Sequence, residues 1–208
     1  MHPETLAPNT HKLLDLLGKT SVAKQFYLAG GTALALHYGH RRSIDLDWFS
    51  NKEFSVPRLR DKLAAGSGEL TVVAEDKGTL HGVMNRVRLS FLYYPYKLLW
   101  PTIKYNGVNL ADPRDIACMK LLAISNRGSK KDFFDLYILL KYYQLAQLFV
   151  WFDRKFSGTR YNHLHLLKSL LYFDDAEKEP NPVLLCNLTW REVKRQFKLA
   201  VSQYLKQI

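Results

Sequence analysis

Gly30-Gly31-Thr32 and Asp45-Leu46-Asp47, with twelve residues between them, are the residues of this chain whose types and spacing suit chemistry. Glycines let backbone approach a ligand closely, and a turn of small residues opening a helix can present amides and a hydroxyl to phosphate. The alternation in Ser43-Ile44-Asp45-Leu46-Asp47-Trp48-Phe49 predicts a strand, with Ile44, Leu46 and Trp48 on one side and both aspartates on the other. Two carboxylates so placed, roughly 7 Å apart, repel one another, and a divalent cation removes that penalty. A phosphate-binding turn followed by a cation-holding strand suits a nucleoside triphosphate with Mg²⁺ or Mn²⁺. Each piece also has a plainer reading. Gly30-Gly31 makes a tight turn, Thr32 caps a helix over Ala33–Tyr38, and an Asp-x-Asp strand is a solvated face. A Walker-type loop is excluded, because no Lys-Ser or Lys-Thr follows the glycines.

A second group of candidates lies later. Lys120 sits among Cys118, Met119, Leu121 and Leu122 on an expected helix over Arg114–Asn126. It either snorkels to water or neutralises a triphosphate. On the next helix Asp132 and Asp135 either complement the helix N-terminus or, in the case of Asp135, position the triphosphate or ribose. Arg127, Lys130 and Lys131 then suit the phosphates of a larger substrate such as RNA. Arg41 and Arg42, just before the aspartates, either contact phosphate of one substrate or stand in a solvated loop.

The elements that must position these residues change character along the chain. Its 208 residues allow one domain or two small ones. Helices are expected over His11–Gln25 and Val56–Ala65. Strands are expected at Phe26–Ala29, Leu70–Glu75, Leu80–Met84, Val87–Tyr93 and Ile103–Leu110, with turn signals at Asp76-Lys77-Gly78 and Asn106-Gly107. Asp112-Pro113-Arg114-Asp115 is a strong helix start. Beyond it the chain reads as helical over Arg114–Asn126, Lys131–Tyr143, Gln144–Phe156, Tyr161–Leu171 and Thr189–Lys206. The expected division is 1–111, an α/β domain, and 112–208, a helical domain packed against it. Trp190 and Phe197 are seven apart and read as core.

Charge and composition narrow the partners. The net charge of +11 is spread evenly, with 14 basic against 9 acidic residues up to Leu110 and 16 against 10 after it. A polyanion, nucleic acid first, is the expected partner. Cys118 and Cys186 make neither a disulfide framework nor a metal site, and His163 and His165, two apart on a helix, point apart. Leu136–Phe152 is the most apolar run but is interrupted by Lys141, Gln144 and Gln147, so no membrane span is expected. Met1–Asn9 is not a secretory signal, and the cytoplasm is the expected location.

Gly30-Gly31-Thr32-Ala33-Leu34-Ala35-Leu36 with His40-Arg41-Arg42-Ser43-Ile44-Asp45-Leu46-Asp47-Trp48-Phe49 resembles the minimal nucleotidyltransferases of the AbiEii/AbiGii toxin family. Asp115–Ile124, Arg127–Leu136, Tyr172–Glu177 and Trp190–Lys194 extend the resemblance over nearly the whole chain. It implies an α+β fold: a DNA-polymerase-β-like mixed sheet with helices, then a C-terminal helical bundle. It implies the toxin half of a type IV toxin–antitoxin pair, with a cognate antitoxin as partner. Members bind nucleoside triphosphates with Mg²⁺, and some add nucleotides to the 3′ end of tRNA and halt translation. Carried over, Asp45 and Asp47 hold metal. Gly30, Gly31, Thr32, Ser43 and Lys120 bind the nucleotide, and Asp135 supports catalysis with Lys120.

One departure stands out. Polymerase-like enzymes place a third carboxylate on a neighbouring strand, but Arg86-Val87-Arg88-Leu89-Ser90-Phe91-Leu92 has none, and its expected face is Arg86, Arg88 and Ser90. Glu75 and Asp135 are the candidates to stand in. That absence keeps a degenerate nucleotide- or partner-binding module open, and Asp-x-Asp after an apolar strand keeps open a metal-dependent glycosyltransferase, which needs no Gly-Gly-Thr turn.

Overall fold

Apolar residues at every second position make the strands of the N-terminal half, and apolar residues three and four apart make the helices that cover them. The computed structural model describes residues 1–207. It divides into two compact units, Met1–Asp112 and Pro113–Ile208. The first contains α1 (Pro8–Gly18), α2 (Val22–Gln25), β1 (Tyr27–Leu28), α3 (Gly30–Tyr38), β2 (Leu46–Ser50) and α4 (Val56–Ser67). β3 (Leu70–Asp76), β4 (Thr79–Met84), β5 (Val87–Tyr93), β6 (Ile103–Tyr105) and β7 (Val108–Leu110) follow. One seven-stranded mixed sheet results, in the order β3-β4-β5-β2-β1-β7-β6. β2 lies near its centre, parallel to β5 and antiparallel to β1.

Register sorts the sheet into two unlike faces. Leu46 and Trp48 of β2, Leu89 and Phe91 of β5, and Leu80 and Met84 of β4 share one face and are at most 1% exposed. The Trp48 and Phe91 rings stack at 6.0 Å, and Phe26 meets Phe91 edge-on at 5.0 Å. Leu13, Leu14 and Leu17 of α1 belong to the same buried core. Each such side chain contributes about 1.5–3 kcal/mol by leaving water. The opposite face carries Asp47, Ser90 and His81 on three adjacent strands, all half-buried. An antiparallel or mixed sheet with one dry face and one wetter one leaves the second free for polar chemistry.

Four local expectations change. The helix expected over His11–Gln25 breaks into α1 and α2. α1 ends at Gly18, where a Cβ would collide with the Asn106 carbonyl, and Thr20 Oγ1 donates to the Leu17 carbonyl at 2.7 Å. Ile44 is 61% exposed rather than on the core face of a strand. Its segment is held by the N-terminal residues: Ser43 bridges Leu6, and the Ser43 amide donates to the Thr5 carbonyl at 3.0 Å. The strand thus starts only at Leu46. Arg86 lies in a two-residue hairpin turn with Asn85, both at positive φ (64° and 52°), so it does not share the face of Arg88 and Ser90. The run Ile103–Leu110 is two strands and not one, folded back at the expected Asn106-Gly107 turn as the β6–β7 hairpin.

The second unit is helical: α5 (Pro113–Arg127), α6 (Lys130–Leu140), α7 (Leu145–Lys155), α8 (His163–Ser169), α9 (Asp174–Glu177) and α10 (Trp190–Leu205). Thr189 and Glu192 close a reciprocal capping box on α10. Phe133, Phe173, Trp190 and Phe197 form an aromatic cluster with centroids 5.2–6.5 Å apart. Lys155 and Asp115 form a fully buried ion pair at 2.7 Å. Beside them burial pushes the Cys118 thiol up to about 12, whereas Cys186 is exposed. Among the described residues no helix is long and apolar enough to cross a membrane.

Candidate active site

The Gly-Gly-Thr turn and the aspartate segment are sewn together by backbone. The Ala29 amide donates to the Asp47 carbonyl at 3.1 Å. Thr32, 1% exposed, donates its hydroxyl to the Asp45 carbonyl and shares a hydrogen bond of 2.7 Å with Ser43 Oγ. α3 begins at Gly30 itself, so Thr32 is a first-turn residue and not the cap, and its side chain turns inward to hold the aspartates. Ser43 is held by the same contact. Among the described residues no side chain caps α3. The first amides of a helix have no intrahelical partner, and they carry its positive dipole end. Gly30 has φ +68°, and a Cβ there would sit 3.2 Å from Asp47 Oδ2. The carboxylate thus lies against the start of the helix, in space that only glycine leaves open.

Asp45 stands one residue before β2 and Asp47 within it. Asp45 Oδ1 is buried and finds no hydrogen-bond partner among the described residues. A buried carboxylate oxygen without a partner carries a desolvation cost of the kind a bound cation offsets. Two carboxylates are the usual protein share of a Mg²⁺ site that substrate phosphates complete. The residues present therefore fit a divalent cation. Among the described residues no group of three or more metal-ligating side chains exists.

The basic residues before the aspartates differ from each other. Arg41 is 5% exposed, and its Nη1 donates to the Arg42 carbonyl at 3.0 Å, whereas Arg42 is exposed. On α3, His37 Nε2 lies 3.0 Å from the Ala111 carbonyl. Burial lowers its pKa, against the raising effects of that carbonyl and of Asp112, so the imidazole is neutral and donates.

Within the helical unit, Lys120 does not snorkel. It is 4% exposed, and its Nζ lies 2.7 Å from Asp132 Oδ1 and 2.6 Å from Asp135 Oδ2. Asp132 also accepts from Arg127 Nε at 2.8 Å and Nη2 at 3.1 Å. Burial alone would raise the Asp132 pKa, but Lys120 and Arg127 outweigh it and hold the carboxyl below its ordinary range. Lys130, expected to face RNA, is 5% exposed. Its Nζ donates to the Glu179 carbonyl and lies 5.4 Å from the Trp190 ring centre. Its amide and Ser129 Oγ bond Glu179 Oε2 at 2.8 and 2.9 Å, so a carboxylate already occupies the start of α6. The aromatic ring and that carbonyl draw Lys130 inward, which its place in a basic run does not reveal. Lys131 is exposed.

Glu75 does not stand in for the missing carboxylate. It pairs with Leu80 in register, on the face opposite Asp47, and is bound by Arg60 at 3.2 Å. The register partner of Asp47 on β5 is Ser90, whose Oγ lies 3.0 Å from His81 Nδ1 on β4. Nothing in the sequence spacing marks His81. Only the β4–β5 register brings it to this face.

With the geometry in hand, the chain can be compared with known proteins. The profile of the family described as "Nucleotidyl transferase AbiEii toxin, Type IV TA system" matches residues 12–81 and 82–206. The chain belongs to the AbiEii nucleotidyltransferase toxin family. An uncharacterized protein of Aquifex aeolicus (strain VF5) is 36% identical over 210 residues, covering 97% of this chain and 98% of that protein. MenT4, a nucleotidyltransferase toxin of Mycobacterium tuberculosis, superposes with TM-score 0.63 at 16% identity, over 100% of this chain and 88% of its own. JHP933 of Helicobacter pylori superposes with TM-score 0.60 at 20% identity, over 97% and 94%. At these identities the two structures establish the shared α+β nucleotidyltransferase fold.

Proposed function

We propose that this AbiEii-family protein transfers a nucleoside monophosphate from a nucleoside triphosphate to an acceptor hydroxyl of RNA, tRNA first among candidates, and releases pyrophosphate. The observation that carries the reading is the buried Oδ1 of Asp45, without a hydrogen-bond partner among the described residues, two residues from Asp47, whose carboxylate lies against the start of α3. Asp45 and Asp47 hold the divalent cation; bound there, Mg²⁺ offsets triphosphate charge as it builds toward the leaving pyrophosphate. Gly30, Gly31 and Thr32 offer first-turn amides to phosphate. Thr32 and Ser43 keep the aspartate backbone in place. For Lys120 and Asp135 the proposed roles are phosphate binding and support of catalysis, with Lys120 oriented by the two carboxylates that flank it. Arg42, Arg127 and Lys131, which are exposed, and Arg41, which is buried, remain the proposed RNA set. A cognate antitoxin is the proposed protein partner.

The test is incubation with Mg²⁺, total tRNA and each α-³²P-labelled nucleoside triphosphate in turn, with Asp45→Ala/Asp47→Ala alongside. Label on tRNA with wild type alone is expected. Equal labelling by the folded double variant would overturn the assignment of the aspartates. One observation favours a second reading, triphosphate or partner binding without transfer: β5 offers Ser90 where a third carboxylate is expected. Calorimetric binding of Mg²⁺ and triphosphate, with no label on any RNA or protein acceptor, is the result that reading requires.

A further inference from the structure

Resting on that reading, we propose that Ser90 and His81 form the proton acceptor of the transfer reaction, in place of a third carboxylate. Three adjacent strands place the participants on one face. Asp47 of β2 is in register with Ser90 of the parallel β5, and Ser90 with His81 of the antiparallel β4. Neighbouring strands lie about 4.8 Å apart, so the Ser90 hydroxyl emerges beside the metal-holding carboxylate. His81 Nδ1 lies 3.0 Å from Ser90 Oγ, within the reach expected of a hydroxyl and its base. Both side chains are half-buried on the wetter face, where a substrate hydroxyl has access. No residue of β5 is acidic.

The step balances as follows. The acceptor oxygen forms its bond to the α-phosphorus while the α-phosphorus–oxygen bond to pyrophosphate breaks, and pyrophosphate leaves with that electron pair. The acceptor hydroxyl gives its proton to Ser90 Oγ as Ser90 passes its own to His81 Nδ1. The imidazolium then releases a proton to water. Ser90 is the catalytic residue, and His81 acts through it. This requires the tautomer with the hydrogen on Nε2, leaving Nδ1 free to accept. The charged and titratable groups on the elements around this face are Asp47 of β2, Arg88 of β5, Asp76 at the end of β3, and His37 of α3.

The experiment is a pH profile of transfer with Mg²⁺, triphosphate and the labelled acceptor, read as kcat and KM. Wild type is expected to show a limb that rises with pH, as general-base transfer requires. His81→Asn is expected to lose that limb and about 10²-fold in kcat, with the KM for triphosphate within twofold of wild type. Ser90→Ala, a smaller change, is expected to share the phenotype. Ser90→Asp combined with His81→Asn is expected to recover at least tenfold. An active wild type with equally active His81→Asn and Ser90→Ala sinks the relay alone. A wild type that labels no acceptor sinks the transfer reading and the relay with it.

Discussion

The space beside Asp47 Oδ2 is kept open by Gly30: a Cβ on Gly30 would sit 3.2 Å from that oxygen. One glycine therefore serves two ends. It admits φ +68° at the start of α3, and it lets a carboxylate lie against the helix N-terminus.

Gly30→Ala tests that relationship. The left-handed backbone costs a non-glycine residue about 1–2 kcal/mol, and the methyl also presses on Asp47. We expect urea unfolding to show a loss of about that size. Calorimetry should show Mg²⁺·triphosphate binding weakened by more than the stability loss accounts for. Binding at wild-type strength would show that Asp47 need not lie against the turn.

Asp45→Asn separates function from stability. Asp45 Oδ1 is a buried oxygen with no partner among the described residues, so removing its charge relieves a desolvation cost. In EDTA the variant's thermal midpoint should equal or exceed that of wild type. The rise in midpoint that wild type gains on adding Mg²⁺ and triphosphate should vanish. A variant that gains as much as wild type places the cation elsewhere.

Lys120→Met should be far more damaging to the fold. It leaves Asp132 and Asp135, both 0% exposed, without their shared ammonium. Breaking a buried pair from one side costs about 3–5 kcal/mol, read as the shift in urea midpoint. A loss below about 1 kcal/mol, the range of exposed pairs, would mean that the cluster contributes little to the helical unit.

The Asp132 carboxyl sets a pH dependence. Its folded pKa lies below the ordinary 3.8, first against burial and then through Lys120 and Arg127. Its stabilisation is therefore fully present above about pH 4 and is lost as pH falls through the lowered value. Arg127→Gln removes two hydrogen bonds to Asp132 and should move the acid-unfolding midpoint to higher pH. An unchanged midpoint, followed by circular dichroism, would remove Asp132 from the acid transition.

On the proposed function, the salt dependence of tRNA binding is expected to sort the basic residues. Arg42→Ala and Lys131→Ala, at exposed sites, should each lower the slope of log affinity against log salt by about one phosphate contact. Lys130→Met should leave the slope unchanged, since Lys130 is 5% exposed and its ammonium faces the Glu179 carbonyl and Trp190. A fall in slope for Lys130→Met would return it to the RNA-facing set.

Local pattern determined a great deal. Apolar runs sufficed for β4 and β5, whose alternating burial is that of a half-buried sheet. Asp112-Pro113 sufficed for the start of α5, because a cap and a proline at the first turn are demands that backbone geometry imposes on neighbouring residues, and the motif runs from Gly30 to Phe49 and beyond Asp115 carried the resemblance to the family. Tertiary structure alone decided the rest. Which way Thr32, Lys120 and Lys130 point depends on partners 13, 12 and 49 residues away. The close approach that requires glycine at position 18 is made by a hairpin tip at Asn106, far along the chain. Ser90 meets Asp47, and His81 meets Ser90, through strand register, which is set by the sum of pairings across the sheet and not by any one segment. Sequence thus carried the candidate glycines and aspartates, and long-range packing decided which side chains are held against each other.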